Sequence, residues 1–290
     1  MTAAEHLLVV VTGPGEARSL IEAEVAHPQL SVLDVGVTRG DGIFETISIG
    51  AGHPQALDAH LDRFARSARM LDLPEPDRDL WREAVQTLAA RLSEHEEAWV
   101  KTVLTRGIEG QPVPTGWAYG TVSPAFRRER TEGIDVVLLD RGLRSDAPAT
   151  SPWLLAGAKT LSYAVNRAAV REAQRRGADD VIFVSSDGQV LEGPTSTVVL
   201  RRGDVLSTPP DDVGILPGTT QADLFAAADQ WGLRTTIEPL TPDDLGDADA
   251  VWLVSSVRHA APVRSVDGAA RPVDTPLTAA MNGFLRARRS

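Results

Sequence analysis

The stretch Ala156-Gly-Ala-Lys-Thr-Leu-Ser-Tyr-Ala-Val-Asn-Arg-Ala-Ala-Val170 places a lysine, Lys159, between a strand-like apolar run and a helix-like one. The 290 residues hold 29 lysines plus arginines, yet only Lys101 and Lys159 are lysines. A chain that otherwise uses arginine departs from that habit twice. Arginine stays protonated at any pH a protein meets, so it cannot attack a carbonyl. A desolvated lysine can lose its proton and do so. Taken by itself, the local sequence fits a solvated surface cation more often than a nucleophile. The rest of the chain decides between them.

Composition narrows the field. Hydrophobic residues make up 42% and charged residues 24%, the proportions of a globular protein with a substantial core. Cysteine is absent, which excludes disulfides, thiolate metal sites and cysteine nucleophiles. The start, MTAAEHLLVVVTG, has no basic flank, and its apolar run is short for a signal peptide. No stretch approaches a membrane span. A cytoplasmic protein with no membrane partner is expected. The net charge of −11 argues against a nucleic-acid partner, which calls for a basic face. It leaves room for a phosphorylated small molecule held by local arginines and backbone N–H groups.

Alternation and helical spacing predict two α/β domains with mixed sheets: residues 1–122, a linker at 123–129, and residues 130–290. In the first, HLLVVV is a strand and VTRGDGIFETISIG a glycine-punctuated turn followed by a strand. LDAHLDRFARSARMLDL is an amphipathic helix with Leu61, Phe64, Ala68 and Leu71 on one face and Asp58 as its N-cap. LWREAVQTLAARLSEH is a second helix, and AWVKTVLTRG a strand that carries Lys101 and Arg106 on opposite faces. In the second domain a helix runs from Leu161 to Arg176 and stops at Gly177. DDVIFVSSDGQVLEGP reads as two strands around an Asp-Gly turn.

Several familiar sites are missing. There is no G-x-x-x-x-G-K and no G-x-S-x-G. Gly13 and Gly15 begin a G-x-G-x-x-G that fails at Arg18. The six histidines show no H-x-x-x-H spacing, so no metal site is expected, and His259 reads as structural. In GILPGTTQADLF, Gly218, Thr219 and Thr220 stand at a helix start, where free N–H groups favour an anion. A simple helix cap explains the same residues equally well. Glu192, in LEGPTSTVVL, sits at a strand end beside small residues, in a cleft or simply in solvent.

A reactive lysine, a phosphate cradle and a carboxylate able to hold a pyridinium N–H are the parts that pyridoxal 5'-phosphate (PLP) requires. TRGDGIFET, HLDRF, LTRG, KTLSYAVNRAAV, GADDVIFVSSDGQVLEGPTSTVV, GILPGTT and VSSVRHAAPV, in that order, resemble the class IV, fold-type IV PLP enzymes. That family includes branched-chain and D-amino-acid aminotransferases and 4-amino-4-deoxychorismate lyase. The resemblance implies a two-domain fold, with a smaller N-terminal α/β domain and a larger C-terminal pseudo-barrel domain, in a homodimer. It implies that Lys159 bonds the cofactor aldehyde as an imine and shuttles the proton, and that Glu192 pairs with the pyridine nitrogen. It implies that Arg63 reaches the phosphate, with Arg66 and Arg69 facing solvent. Gly218, Thr219 and Thr220 give the phosphate their N–H and hydroxyl donors, and Ser255 and Ser256 lie on the loop closing the phosphate side.

The substrate is a small amino or carboxylate compound. Asp41-Gly-Ile-Phe-Glu-Thr46 is more similar to the lyase and D-amino-acid branch than to the branched-chain branch. Phe44 replaces the tyrosine usual in the D-amino-acid enzymes, and GIEGQPVPTGWAY lacks their carboxylate-binding arginine and histidine. Thr197 stands where many members have asparagine. Arg106 and Arg258 are candidates for substrate carboxylates, and Lys101 is read as structural. The resemblance therefore points to 4-amino-4-deoxychorismate lyase, which releases 4-aminobenzoate and pyruvate for folate synthesis. A class IV aminotransferase with a keto-acid acceptor is the alternative, and a non-catalytic PLP-binding scaffold is the third reading.

Overall fold

A computed structural model describes residues 6–12 and 19–289. Gly13, Gly15 and Arg18 lie outside the described residues. The chain separates into two bodies: Met1–Pro124 with Ala158–Tyr163 and Ala287–Ser290, and Ala125–Gly157 with Ala164–Arg286. The segment holding Lys159 thus belongs to the first body, while the chain on both sides of it belongs to the second.

The first body is one antiparallel sheet with helices on one face. Its elements are β1 (His6–Thr12), β2 (Ser19–Ala23), α1 (Val35–Arg39), β3 (Gly42–Gly50), β4 (His53–Pro54), α2 (Leu57–Met70), α3 (Arg78–Arg91), β5 (Glu97–Thr105) and β6 (Thr115–Val122). The strand order is β2-β1-β6-β5-β3-β4. Period-two alternation along β3 sends Ile43, Glu45, Ile47 and Ile49 to one face and Phe44, Thr46 and Ser48 to the other. Residues Ile43, Glu45, Ile47 and Ile49 are all buried. The helices lie on the Glu45 face: His60 and Arg63 of α2 meet Glu45, and Trp81 and Leu88 of α3 crowd Gly116 and Gly120 of β6. Phe64 and Trp81 pack edge to face with centroids 5.1 Å apart.

Leu61, Phe64 and Ala68 form the apolar face expected of α2, and Leu71 is buried just past its end. Asp58 does not cap it. Ala56, in a left-handed conformation, occupies that position, and Asp58 in the first turn pairs with Arg78 and Arg82 of α3. VTR, expected as a turn, closes α1, which Asp34 caps through a 2.8 Å bond from the Gly36 N–H. Gly40, at φ 71°, stops that helix where a side chain would be strained.

The second body holds an eight-stranded mixed sheet. Its elements are α4 (Arg127–Thr131), β7 (Ile134–Asp140), α5 (Ala147–Thr150), α6 (Ala164–Arg175), β8 (Asp180–Val184), β9 (Thr197–Arg202), β10 (Val205–Thr208), α7 (Thr219–Ala226), β11 (Arg234–Ile237), α8 (Pro242–Asp247), β12 (Ala250–Ser255), β13 (His259–Val266), β14 (Ala269–Ala270) and α9 (Thr275–Ala287). Strands run β11-β10-β9-β12-β13-β7-β8, with β14 beside β13. The pairs β10–β11, β13–β7 and β7–β8 are parallel, and the central pairs are antiparallel. One face of the sheet packs Val199, Leu206, Trp252 and Val254 against Leu224 of α7 and Met281 and Leu285 of α9. The other packs Val198, Leu200 and Leu253 with Leu240 and Leu245.

Two boundaries differ from the sequence expectation. α6 begins at Ala164, not Leu161, because Leu161 donates its N–H to Gly42 O of β3 at 2.8 Å. The second strand of the Asp-Gly hairpin shrinks to a single bridge between Val184 and Val190. Among the described residues no helix is long and apolar enough to cross a membrane.

Candidate active site

In the first body, β3 and the lysine segment lie side by side. The Phe44 N–H donates to Lys159 O at 3.0 Å, and Ile43 bridges Thr160. The Lys159 N–H in turn donates to Ser67 Oγ of α2 at 3.1 Å, so two elements fix the lysine backbone. The Lys159 ammonium lies 4.6 Å from the Phe44 ring centroid, and Tyr163 meets the same ring edge-on at 5.6 Å. The other lysine of the protein comes to this ring too: Lys101 Nζ is 5.3 Å from the Phe44 centroid and 5.7 Å from that of Trp99. Burial pushes the Lys101 ammonium below its ordinary pKa.

Behind Phe44, on the covered face, Arg63 holds Glu45 through Nε and Nη2, each at 2.7 Å. His60 Nδ1 is 2.8 Å from the same carboxylate. Burial alone would raise the Glu45 pKa; the Arg63 guanidinium and the bonds from Arg63 and His60 overcome it and hold the carboxyl well below its usual range. Burial dominates at His60 and keeps its pKa low, so the ring is neutral and Nδ1–H donates to Glu45. Arg69 is exposed and pairs with Glu75 at 3.2 Å, in keeping with its expected solvent position. Arg66 differs: it is half-buried, and its Nη1 is shut off from solvent.

Arg106 directs its guanidinium to Asp41, with Nε–Oδ2 at 2.7 Å, and to the carbonyls of Leu71 and Asp72. It closes the turn before β3 onto the end of α2.

In the second body, Gly218, Thr219 and Thr220 open α7, with Gly218 as its N-cap residue. Thr219 Oγ1 and Ser256 Oγ, from the β12–β13 turn, are 3.5 Å apart. A Cβ on Gly218 would fall 2.3 Å from Thr197 Oγ1, so only glycine leaves this corner open. Thr220 is 2% exposed, and its hydroxyl is buried without a hydrogen-bond partner among the described residues. A buried hydroxyl with no protein partner at a helix N-terminus is costly unless a ligand meets it. The donor set therefore fits the phosphate of PLP.

Glu192 accepts the Leu216 N–H at 3.2 Å through Oε2, and its carbonyl accepts from Phe183 of β8. Asn166 of α6 donates to Pro194 O at 2.7 Å and fixes the turn that follows Glu192. Arg258 Nη2 lies 2.7 Å from Asp180 Oδ2, an ion pair without hydrogen-bond alignment. Arg130 of α4 donates to the carbonyls of Val257 and Arg258, both at 2.9 Å, and anchors the turn bearing Ser256. Sequence reasoning missed Ser67, Asn166 and Arg130. Each acts by a backbone contact across long sequence separation, for which a single sequence carries no signal.

Residues 42–266 match the Amino-transferase class IV family. A bifunctional aminodeoxychorismate lyase / D-amino acid transaminase of Mycobacterium tuberculosis is 45% identical over 267 residues, 87% of this chain and 92% of that protein. The structure of a fold IV-transaminase from Curtobacterium pusillum superposes with TM-score 0.94 at 52% identity, covering 98% of this chain and 100% of that one. A hypothetical aminotransferase from Mycobacterium tuberculosis, in a PLP-bound form, gives TM-score 0.89 at 40% identity over 97% and 98% of the two chains. The family match takes in parts of both bodies, and this chain belongs to the PLP-dependent class IV aminotransferase family.

Proposed function

We propose that the protein is a 4-amino-4-deoxychorismate lyase. The observation that carries this reading is the Lys159 ammonium 4.6 Å from the Phe44 ring. A flat wall without a hydroxyl beside the reacting amine suits a cyclic substrate that becomes aromatic. The lyase name of the 45% identical relative supports the same reading.

When bound, PLP supplies an electron-withdrawing ring that stabilises negative charge next to the substrate nitrogen. Lys159 takes the proton from the ring carbon bearing that nitrogen. The enolpyruvyl C–O bond breaks, a proton reaches the departing methylene, and pyruvate leaves with 4-aminobenzoate as the other product. Atoms balance without water or an amino acceptor. Glu192 would pair with the pyridine nitrogen and keep it protonated. Gly218, Thr219, Thr220 and Ser256 would donate to the phosphate, and Arg63, fixed by Glu45, would supply positive charge to it. Arg106 is hydrogen-bonded to Asp41 and to two carbonyls, so we assign it to shaping the site; Arg258 pairs with Asp180 without hydrogen-bond alignment, and we assign its remaining donors to a substrate carboxylate. The reading includes a cytoplasmic homodimer, which light scattering of the purified protein tests.

A second reading is D-amino acid transamination at the same lysine. It is favoured by the double name of that relative and by the 52% identical transaminase. One assay separates the two. 4-Aminobenzoate and pyruvate formed from aminodeoxychorismate without any keto acid support the lyase. Strict dependence on a keto acid, with no 4-aminobenzoate, overturns it in favour of transfer.

A further inference from the structure

We propose that Arg130 is a positioning residue for the cofactor phosphate: it fixes the β12–β13 turn and so sets where the Ser256 hydroxyl stands. The inference rests on the assignment of Ser256 to the phosphate and deepens it.

Arg130 lies on α4, in the second body, and is 8% exposed. Drying a guanidinium is costly unless its donors are met. Two of them meet successive carbonyls of one turn: Nη2 donates to Val257 O and Nε to Arg258 O, both at 2.9 Å. The guanidinium is planar and its donors form a rigid fork, so the two bonds fix both peptide planes together.

The turn calls for such a clamp. Ser255 and His259 pair across it, which leaves Ser256, Val257 and Arg258 as a short hairpin loop. Loops of this kind usually give a left-handed position to glycine. Here His259 takes φ 63°, and a strained turn persists where its surroundings hold it. Just past the turn, Asn282 of α9 brackets Ala260, accepting its N–H at 3.0 Å and donating to its carbonyl at 2.9 Å. The Arg258 side chain is drawn to Asp180. Arg130 adds the hold on the loop backbone itself.

Ser256 directly precedes the two clamped carbonyls, and its Oγ is 3.5 Å from Thr219 Oγ1 of α7. That is long for a bond between hydroxyls and suits two donors that share one acceptor oxygen. Thr219 is fixed by its helix, whereas Ser256 is only as fixed as its turn. A small shift of the turn would move one donor off the shared oxygen and leave the other in place.

The test is a double-mutant cycle on the full-length protein, stripped of cofactor and titrated with PLP by absorbance. The phosphorus NMR resonance of the bound cofactor is the second readout. Ser256→Ala should weaken PLP binding about tenfold, and Arg130→Met about as much. The double variant should stay near a tenfold loss, not the roughly hundredfold of independent effects, because Arg130 acts through Ser256. The phosphorus resonance should move the same way in both single variants, and Arg130→Lys, which can keep one bond, should lose less affinity than Arg130→Met. Unchanged affinity in Arg130→Met, or multiplied losses in the double variant, overturns the proposal. If Arg130→Met does not fold, the same cycle run with Arg130→Lys decides. Ser256→Ala with unchanged affinity and resonance sinks the phosphate assignment and the proposal with it; a loss in Ser256→Ala but none at Arg130 sinks the proposal alone.

Discussion

Phe44 holds Lys159 twice, through its backbone N–H to the lysine carbonyl at 3.0 Å and through its ring, 4.6 Å from the lysine ammonium. Backbone and side chain of one strand residue thus touch both ends of the lysine proposed to do the chemistry. Replacing the ring tests whether that matters. Phe44 is 8% exposed, so Phe44→Ala should cost about 3 kcal/mol in urea unfolding. It should also slow turnover, whereas Phe44→Leu should cost about 1 kcal/mol.

Lys159→Arg keeps the positive charge and removes the only nucleophilic atom at that position. Borohydride reduction of the PLP-loaded wild type followed by peptide mapping should find a pyridoxyl group on Lys159 and none on Lys101. The variant should carry no adduct, and its turnover should fall by at least about 10³-fold.

Thr220 separates a cap from a ligand. Its hydroxyl is buried and has no hydrogen-bond partner among the described residues. Thr220→Val should therefore leave the melting temperature of the cofactor-free protein unchanged or raised. PLP affinity, followed by absorbance titration, should drop about fivefold to tenfold. A loss of stability with intact affinity would mean that Thr220 serves the helix alone.

Glu45 and Arg63 form a buried pair, and breaking one side leaves the other charge stranded. Glu45→Gln should destabilise the fold by about 3 kcal/mol, measured by urea unfolding. PLP affinity should fall with it, since Arg63 loses the carboxylate that orients it.

Acid should weaken the protein in two stages. The buried His60 has a pKa below its ordinary 6.5, so as pH falls through that value the unfolded chain takes up a proton the folded one refuses. Glu45 is held below its ordinary 4.5, so its stabilisation is complete above that value and shrinks as pH falls further. Calorimetric melting temperatures should decline from about pH 7 downward, and His60→Gln should flatten the part between about pH 7 and pH 5.

How much of this was legible beforehand depends on the range of each interaction. Lys159, Glu192 and the Gly218–Thr220 helix start each stand out within a few residues, but local sequence left a surface cation, a solvated strand end and a simple cap open for them; the order of motifs along the chain pointed to the cofactor. The buried face of α2 followed from helical spacing. Asp58 misled because an acidic residue near a helix start resembles a cap, while the actual cap is the left-handed Ala56. Arg106 looked available because its partner, Asp41, is 65 residues away in sequence. Alternation put Lys101 on a face of β5, but only the pairing of β5 with β3 shows that this face also carries Phe44.

The lysine segment has a consequence for how the molecule is made. Ribosomes deliver the strands and helices of the first body before residue 125, yet that body includes Ala158–Tyr163. Until those residues emerge, the Phe44 N–H and the Gly42 carbonyl lack the partners that Lys159 and Leu161 later give them. A nascent chain therefore has a nearly finished first sheet with one seam open, and closing that seam is the same event that seats the amine we propose as catalytic. Cofactor capture becomes a report that synthesis has passed the middle of the chain and that tertiary structure is in order. Amide exchange on a chain truncated at residue 157 would show the open seam as fast exchange at Phe44.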